Sequence, residues 1–268
     1  MTFTEIARTI GKKIWLREVA YQLITLTTLR EWYIRRTLAR YLPVSHDFDF
    51  LDAGSGIGQH AIRIGRSCPG ARVTAVERDR RQVEDCIHYV KRIGLANVSF
   101  HCSDLGNFTL RSQFDVILCA SVLEHLRDDL EQLKTFHHHL KKGGILVLYT
   151  PASEQRVLAP LARSQNRRLR QGGDSLPHQH LRYYSAAGLR DLTLRAGFEP
   201  VEVEITYGRF GRYAYDIVTL VQYSRLFRLL FPFYLVMVHP FVLILMWADY
   251  VKNNSEGNGV LLVARKSV

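Results

Sequence analysis

The sequence predicts an α/β protein built on a mostly parallel sheet, and three observations carry that expectation. Short apolar runs of strand type alternate with helical stretches between residues 48 and 150. The first run ends in a glycine turn, Asp52-Ala53-Gly54-Ser55-Gly56-Ile57-Gly58, that opens into a helical stretch. Later runs end in polar or acidic residues: Val76-Glu77-Arg78, Cys102-Ser103-Asp104-Leu105 and Ala120-Ser121-Val122-Leu123-Glu124-His125. In a parallel sheet these ends share one edge, where open α/β folds bind their ligands.

Taken in order, residues 3–41 read as helix broken near Gly11, with Ile14, Trp15, Val19, Leu23, Leu26 and Leu29 at three-to-four spacing. Pro43 closes this segment. Strands are expected at 48–52, 71–77, 98–102, 114–119 and 145–149, with helices at 58–67, 80–93 and 123–141 between them. Gly143-Gly144 is expected to stop the last of these helices. Residues 151–180 are polar and contain Gln171-Gly172-Gly173-Asp174-Ser175 and Pro177, which reads as a loop with a helical piece covering the site. A helix capped by Ser185 and ended by Gly197 follows, then strands at 201–207 and 259–266. The chain thus divides into an N-terminal helical cap (1–43), a core (44–207), a hydrophobic helical insertion (208–258) and a final core strand (259–268). Within the insertion, 229–247 is an apolar run of roughly membrane-spanning length, interrupted by Pro232, His239 and Pro240.

Composition narrows the class. Apolar residues make up 47% and charged residues 23% of the 268, the balance of a folded domain rather than a disordered chain. Cys68, Cys86, Cys102 and Cys119 form no CxxC pair, so neither a disulfide framework nor a zinc site is expected, and a reducing cytoplasm fits. Residues 1–10 lack the basic start and apolar run of a signal peptide. The net charge of +11 concentrates outside the core, in Arg30, Arg35, Arg36 and Arg40 and in Arg163, Arg167, Arg168 and Arg170. No RNA-binding signature accompanies it, so nucleic acid is not the expected partner.

The glycine loop would let a ligand approach the backbone at a helix N-terminus, although alone it is equally an ordinary strand-to-helix turn. Glu77, about 20 residues further on, is placed to accept from both hydroxyls of a ribose. With these motifs the chain resembles the class I S-adenosylmethionine (AdoMet)-dependent methyltransferases, in the branch with small-molecule and lipid-like acceptors. The resemblance covers residues 46–207 and the last strand. It implies a Rossmann-like seven-stranded sheet whose last strand is antiparallel, to which this sequence adds an N-terminal helical cap and a helical insertion before that strand.

The resemblance also implies roles. Asp52 would hold the methionine end of AdoMet directly or through water, and Gly54, Ser55 and Gly56 would let the cofactor lie against the loop. Glu77 would bind the ribose, Asp104 the adenine amino group with Ser103 or Leu105 beside it, and Ala120 would border the site. Ile57 and Arg78 either flank the cofactor or serve packing and solvent. The segment Val122-Leu123-Glu124-His125-Leu126 would line the methyl-transfer site. His180-Leu181-Arg182-Tyr183-Tyr184-Ser185 fits the same branch. His125 is the first candidate general base and His180 the second, their alternatives being helix packing and a backbone-bonded loop residue. Glu124 reads as a first-turn helix acid. His137-His138-His139 point in different directions on a helix, so no metal is expected there.

The expected activity is therefore methyl transfer from AdoMet, with S-adenosylhomocysteine (AdoHcy) as product, to a hydrophobic small molecule or lipid-linked acceptor. O-methylation comes first. A non-catalytic AdoMet-fold membrane or assembly partner and an RNA methyltransferase are the alternatives. The insertion reads as a lid or as a peripheral contact with the inner face of the membrane, with Arg225 and Arg228 beside anionic head groups. The basic, aromatic N-terminal helix reads as a cover, and Arg30-Glu31-Trp32-Tyr33 lies close enough to the first strand to reach the site.

Overall fold

The computed structural model describes residues 14–45, 47–107, 113–156, 181–223 and 231–267. Gly11, His180, Arg225, Arg228 and most of the expected polar cover lie outside them. The elements are α1 (Ile14–Thr27), α2 (Leu29–Tyr41), β1 (Asp49–Ala53), α3 (Gln59–Ser67), β2 (Arg72–Glu77), α4 (Arg80–Arg92), β3 (Val98–Cys102) and β4 (Phe114–Ala120). There follow α5 (Asp129–His139), β5 (Leu140–Pro151), α6 (Ala186–Arg195), β6 (Phe198–Thr206), α7 (Arg209–Tyr223), α8 (Phe231–Met237), α9 (His239–Val251) and β7 (Gly259–Lys266). Short 3-10 turns span Leu105–Asn107 and Leu123–His125.

The seven strands form one sheet in the order β3-β2-β1-β4-β5-β7-β6. β1 to β5 pair in parallel, and β7 runs antiparallel to both of its neighbours. Alternate residues of the central strands feed opposite cores because a strand's side chains alternate between faces. Phe50, Val116 and Val147 pack against α2, α3, α4, α7 and α9, while Leu51, Ile117 and Leu148 pack against α5 and α6. Burial on both faces explains the near-continuous apolar runs that identified these strands.

Three local readings are corrected. The N-terminal helix breaks at Thr28, whose backbone is extended (φ −124°, ψ 103°). The start of α2 is held from outside: the backbone N–H of Arg30 donates to Tyr207 Oη at 2.9 Å. The expected helix at 123–141 is a 3-10 turn followed by the shorter α5, which Asp128 caps by accepting from Glu131 N at 3.1 Å. Leu140 then pairs with Phe114, so Gly143 (φ +74°) and Gly144 serve an irregularity within β5 rather than a helix end.

The insertion folds as α7, α8 and α9 and packs into the same core as α2, through Ala214, Val218, Val242 and Met246. Its root is tied by buried Asp249, which accepts from Tyr33 Oη, Gly208 N and Gly211 N at 2.9, 3.2 and 2.9 Å. The apolar run at 229–247 is divided between α8 and α9, with Pro240 in the first turn of α9. Among the described residues no helix is long and apolar enough to cross a membrane.

Candidate functional site

The C-terminal ends of β1 to β4 meet on one sheet edge, with Ala53, Glu77, Cys102 and Ala120 as the last strand residues. β1 lies between β2 and β4, so the chain's connections diverge there and open a crevice above β1. The glycine loop forms the floor of this crevice. Gly54 and Ser55 donate their backbone N–H groups to Val76 O at 2.8 and 2.9 Å. Gly56 N donates to one Glu77 carboxylate oxygen and Asp79 N to the other, each at 3.0 Å.

The loop glycines serve different purposes. A Cβ on Gly54 (φ +78°) would land inside the Val122 isopropyl group. At Gly56 (φ +54°) the nearest neighbour of a Cβ would be Gln82 Oε1 at 3.7 Å. Gly54 is therefore bare so that the segment after β4 can close on the loop, and Gly56 is bare toward open space.

The other expected site residues fall as follows. Asp52 is buried, and one carboxylate oxygen accepts from Ala61 N at 3.0 Å, so it anchors the start of α3. Burial pushes its carboxyl up to about 7. Ser55 is buried, and its Oγ has no hydrogen-bond partner among the described residues. Ser103 N donates to Glu77 O at 3.1 Å, Asp104 is exposed and accepts from Gly106 N at 2.9 Å, and Leu105 is buried. Arg78 is exposed, and Ile57 and Ala120 are half-buried. His125 is half-buried at the end of the 3-10 turn, where its backbone N–H donates to Val122 O at 2.9 Å. His137 packs edge-on against Phe198 at 5.0 Å between ring centres.

Glu124 departs most from its reading. It lies in a 3-10 turn rather than the first turn of a helix, is 1% exposed, and its Oε2 has no hydrogen-bond partner among the described residues. Burial pushes its carboxyl up to about 7. The folded state keeps a proton that the unfolded chain releases near 4.5, so this contribution to stability is complete below pH 4.5 and is lost as pH rises through about 7. Glu124→Gln is expected to match the wild type in thermal melts at pH 4 and to exceed it by about 3 kcal/mol at pH 8. An offset that does not change with pH contradicts the burial of an ionisable group at this position.

The N-terminal helices complete the site. The guanidinium of Arg17, on α1, donates to Ile57 O at 2.9 Å and to Asp85 O at 3.0 Å, and Tyr21 Oη donates to Ile57 O at 2.6 Å. This buried arginine therefore pins the glycine loop to α1. On α2, Arg30 donates from Nε to Glu31 Oε1 at 3.3 Å and from Nη1 to Ser121 Oγ at 3.0 Å. Its guanidinium lies 6.0 Å from the centre of the Tyr149 ring. Glu31 is also 3.5 Å from His60, whose imidazole burial pushes down to about 4, so this contact is not an ion pair at neutral pH. The spacing of Arg30 marked it as near the site, but its contacts with Ser121 and Tyr207 depend on residues distant in the chain.

This fold, with a glycine loop after β1, an acid ending β2 and an acid after β3, defines a class I AdoMet-dependent methyltransferase. A family model described as a methyltransferase domain matches residues 15–203, and the chain belongs to that family. It is 27% identical over 159 residues to a malonyl-[acyl-carrier protein] O-methyltransferase of Bacillus anthracis, covering 58% of this chain and 56% of that protein. It is 25% identical over 120 residues to a ubiquinone biosynthesis O-methyltransferase of Rickettsia canadensis, covering 45% and 49%. The matched region thus spans about half the length of each relative. Among solved structures, Haemonchus contortus phosphoethanolamine N-methyltransferase 2, in complex with S-adenosyl-L-methionine, aligns with a TM-score of 0.63 at 16% identity, covering 100% of this chain and 60% of that one. The [4+2]-cyclase SpnF aligns with a TM-score of 0.59 at 22% identity, covering 88% and 80%. These likenesses establish the fold.

Proposed function

We propose that the chain transfers a methyl group from AdoMet to an oxygen of a hydrophobic small-molecule or lipid-like acceptor. The observation that supports the acceptor class is a cluster of tyrosines at the ends of β5 and β6. Tyr149 and Tyr207 are buried there, and Tyr215 of α7 meets Tyr207 edge-on at 5.8 Å between ring centres. Apolar and aromatic walls suit apolar ligands. The names of the two curated relatives, both O-methyltransferases, support oxygen as the acceptor atom.

The residues present fit the cofactor. Gly56 is open where a Cβ would project, and the buried Ser55 Oγ and the Asp52 carboxylate stand beside the loop for the methionine end. Glu77 takes the ribose hydroxyls, since each of its oxygens keeps a lone pair beyond the bond it accepts from the backbone. Asp104, between Ser103 and Leu105, takes the adenine amino group. Arg78, Gly54 and Ala120 border the same space. When bound, AdoMet supplies an electrophilic methyl group on a sulfonium sulfur. The protein's share of the reaction is orientation, exclusion of water and proton removal where the acceptor arrives as a hydroxyl. The turn at 123–125 supplies the proton acceptor, with Glu124 favoured over its neighbour His125 by its burial and by an oxygen without a partner among the described residues. His180 takes no part in this assignment.

The insertion supports a surface role in the same reading. Phe241, Ile244, Trp247 and Val251 form an exposed stripe along α9, continued by Phe233, Val236 and Met237 of α8. An amphipathic apolar face on a chain of net charge +11, with Lys252 following α9, suits the surface of an anionic bilayer. The protein is expected to float with phosphatidylglycerol-containing vesicles, and Phe241→Asp/Trp247→Asp is expected to stay behind. Flotation of both proteins alike would remove this stripe from the contact.

The activity test uses tritiated-methyl AdoMet with a panel of apolar phenols, alcohols and carboxylic acids. Organic-soluble counts are expected. Counts stable to mild alkali identify an ether, and counts released as methanol identify an ester. Protein that binds AdoHcy but labels none of these acceptors would count against O-methylation.

A further inference from the structure

Arg30 is held in an unusual way. Among the described residues only two non-glycine positions have a left-handed backbone, Ser121 (φ +57°) and Tyr207 (φ +55°). They follow the C-terminal ends of β4 and β6. Both bond to Arg30: Ser121 Oγ accepts from Nη1, and Tyr207 Oη accepts from the backbone N–H. A left-handed backbone at a residue with a side chain costs on the order of 1–2 kcal/mol, and glycine would avoid that cost. Glycine would also remove both contacts. Strain of this kind persists where surrounding structure over-determines it, and it gathers at functional sites.

The guanidinium is only partly committed. Nε is engaged by Glu31 and Nη1 by Ser121, while Nη2 has no acceptor among the described residues. The side chain remains 31% exposed. The groups around it are Glu31 on α2, Ser121 after β4, Glu124 in the following turn, Tyr149 on β5 and Tyr207 after β6, with His60 and Arg63 of α3 facing Glu31. Of these, Glu31 carries an opposing charge that is shared with His60 and Arg63, and Glu124 adds a second when ionised. A cation with one nitrogen unengaged among the described residues, aromatic rings beside it and a buried carboxyl nearby forms a coherent set.

We propose that Arg30 is an oxyanion subsite for the acceptor, and that the acceptor is a phenol whose ring lies against the tyrosine wall. This rests on the methyltransferase reading above and names its substrate class. The phenol O–H proton passes to the Glu124 carboxylate. An oxygen lone pair forms the new bond to the methyl carbon, the electrons of the breaking sulfur–carbon bond return to sulfur, and Glu124 releases its proton to solvent. Arg30 donates from Nη2 to the phenolate oxygen and favours the ionised acceptor. A cation within a few ångströms lowers the pKa of an acidic group by about 1–3 units.

The probe is 4-nitrophenol, whose anion is coloured, titrated from pH 5 to 9 with protein saturated in AdoHcy. Wild type is expected to lower the apparent pKa of the bound phenol by at least about one unit, a tenfold gain in the ionised fraction below that pKa. Arg30→Gln is expected to abolish the shift while leaving AdoHcy affinity unchanged, and Arg30→Lys to retain part of it. A purely structural Arg30 would lower the melting temperature of Arg30→Gln and leave the phenol titration as in wild type. That result overturns the proposal, as does bound phenol without a shift, or no phenol binding by wild type that binds AdoHcy. Failure to bind AdoHcy would instead reject the methyltransferase reading itself.

Discussion

Glu77→Ala is expected to weaken AdoHcy binding by about 100-fold or more, read by isothermal titration at neutral pH. The side chain has two duties in the proposed site. Its carboxylate accepts from Gly56 N and Asp79 N, which fixes the glycine loop against the start of α4. The same oxygens are the acceptors assigned to the ribose hydroxyls. Hydrogen bonds to a charged group contribute about 1.5–3 kcal/mol each, and losing two of them gives a factor of at least about 100. Circular dichroism is expected to show a folded variant, because Glu77 is only half-buried. A loss of tenfold or less would leave Glu77 as a loop brace and would move the ribose contact elsewhere.

Gly54→Ala is expected to give the largest loss of stability, about 3 kcal/mol, seen as a fall in melting temperature of roughly 6–12 °C. Two causes add. The backbone at Gly54 is left-handed (φ +78°), which costs an alanine about 1 kcal/mol or more. The new methyl would also occupy the volume of the Val122 side chain, and overpacking costs about 1–3 kcal/mol. The double variant Gly54→Ala/Val122→Ala is expected to recover the packing share and keep the backbone share. No recovery would mean that the clash lies elsewhere. Val122 belongs to the segment after β4, so this pair measures how tightly that segment closes on the glycine loop.

The parts of the site legible in the sequence are those fixed by local chemistry. A strand ending in Asp52 and followed by Gly54 and Gly56 announces a tight turn into a helix, and Glu77 and Ser103-Asp104 mark the ends of strands recognisable by their apolar runs. Ser185 and Gly197 bracket α6 for equally local reasons, Ser185 Oγ accepting from Gly188 N at 3.0 Å. What stayed hidden depends on partners far away in the chain. Thr28 breaks the N-terminal helix where Tyr207, 177 residues beyond Arg30, supplies an acceptor. Glu124 reads as a first-turn helix acid because carboxylates suit that position, whereas its burial comes from the packing of distant elements. Ser121 and Tyr207 have no intrinsic preference for a left-handed backbone, so no local signal announces either. The two glycines at 143–144 carry a real backbone signal, but the same signal fits a helix end and an irregular strand.

The edge formed by β1, β2, β3 and β4 is expected to hold an AdoMet-class cofactor. Calorimetric titration of the folded full chain with AdoHcy tests it most directly. One binding site per chain is expected, with affinity in the micromolar range or tighter, weakened about 100-fold or more in Glu77→Ala. Absence of binding by protein with a cooperative thermal melt, at AdoHcy concentrations up to the millimolar range, would contradict it.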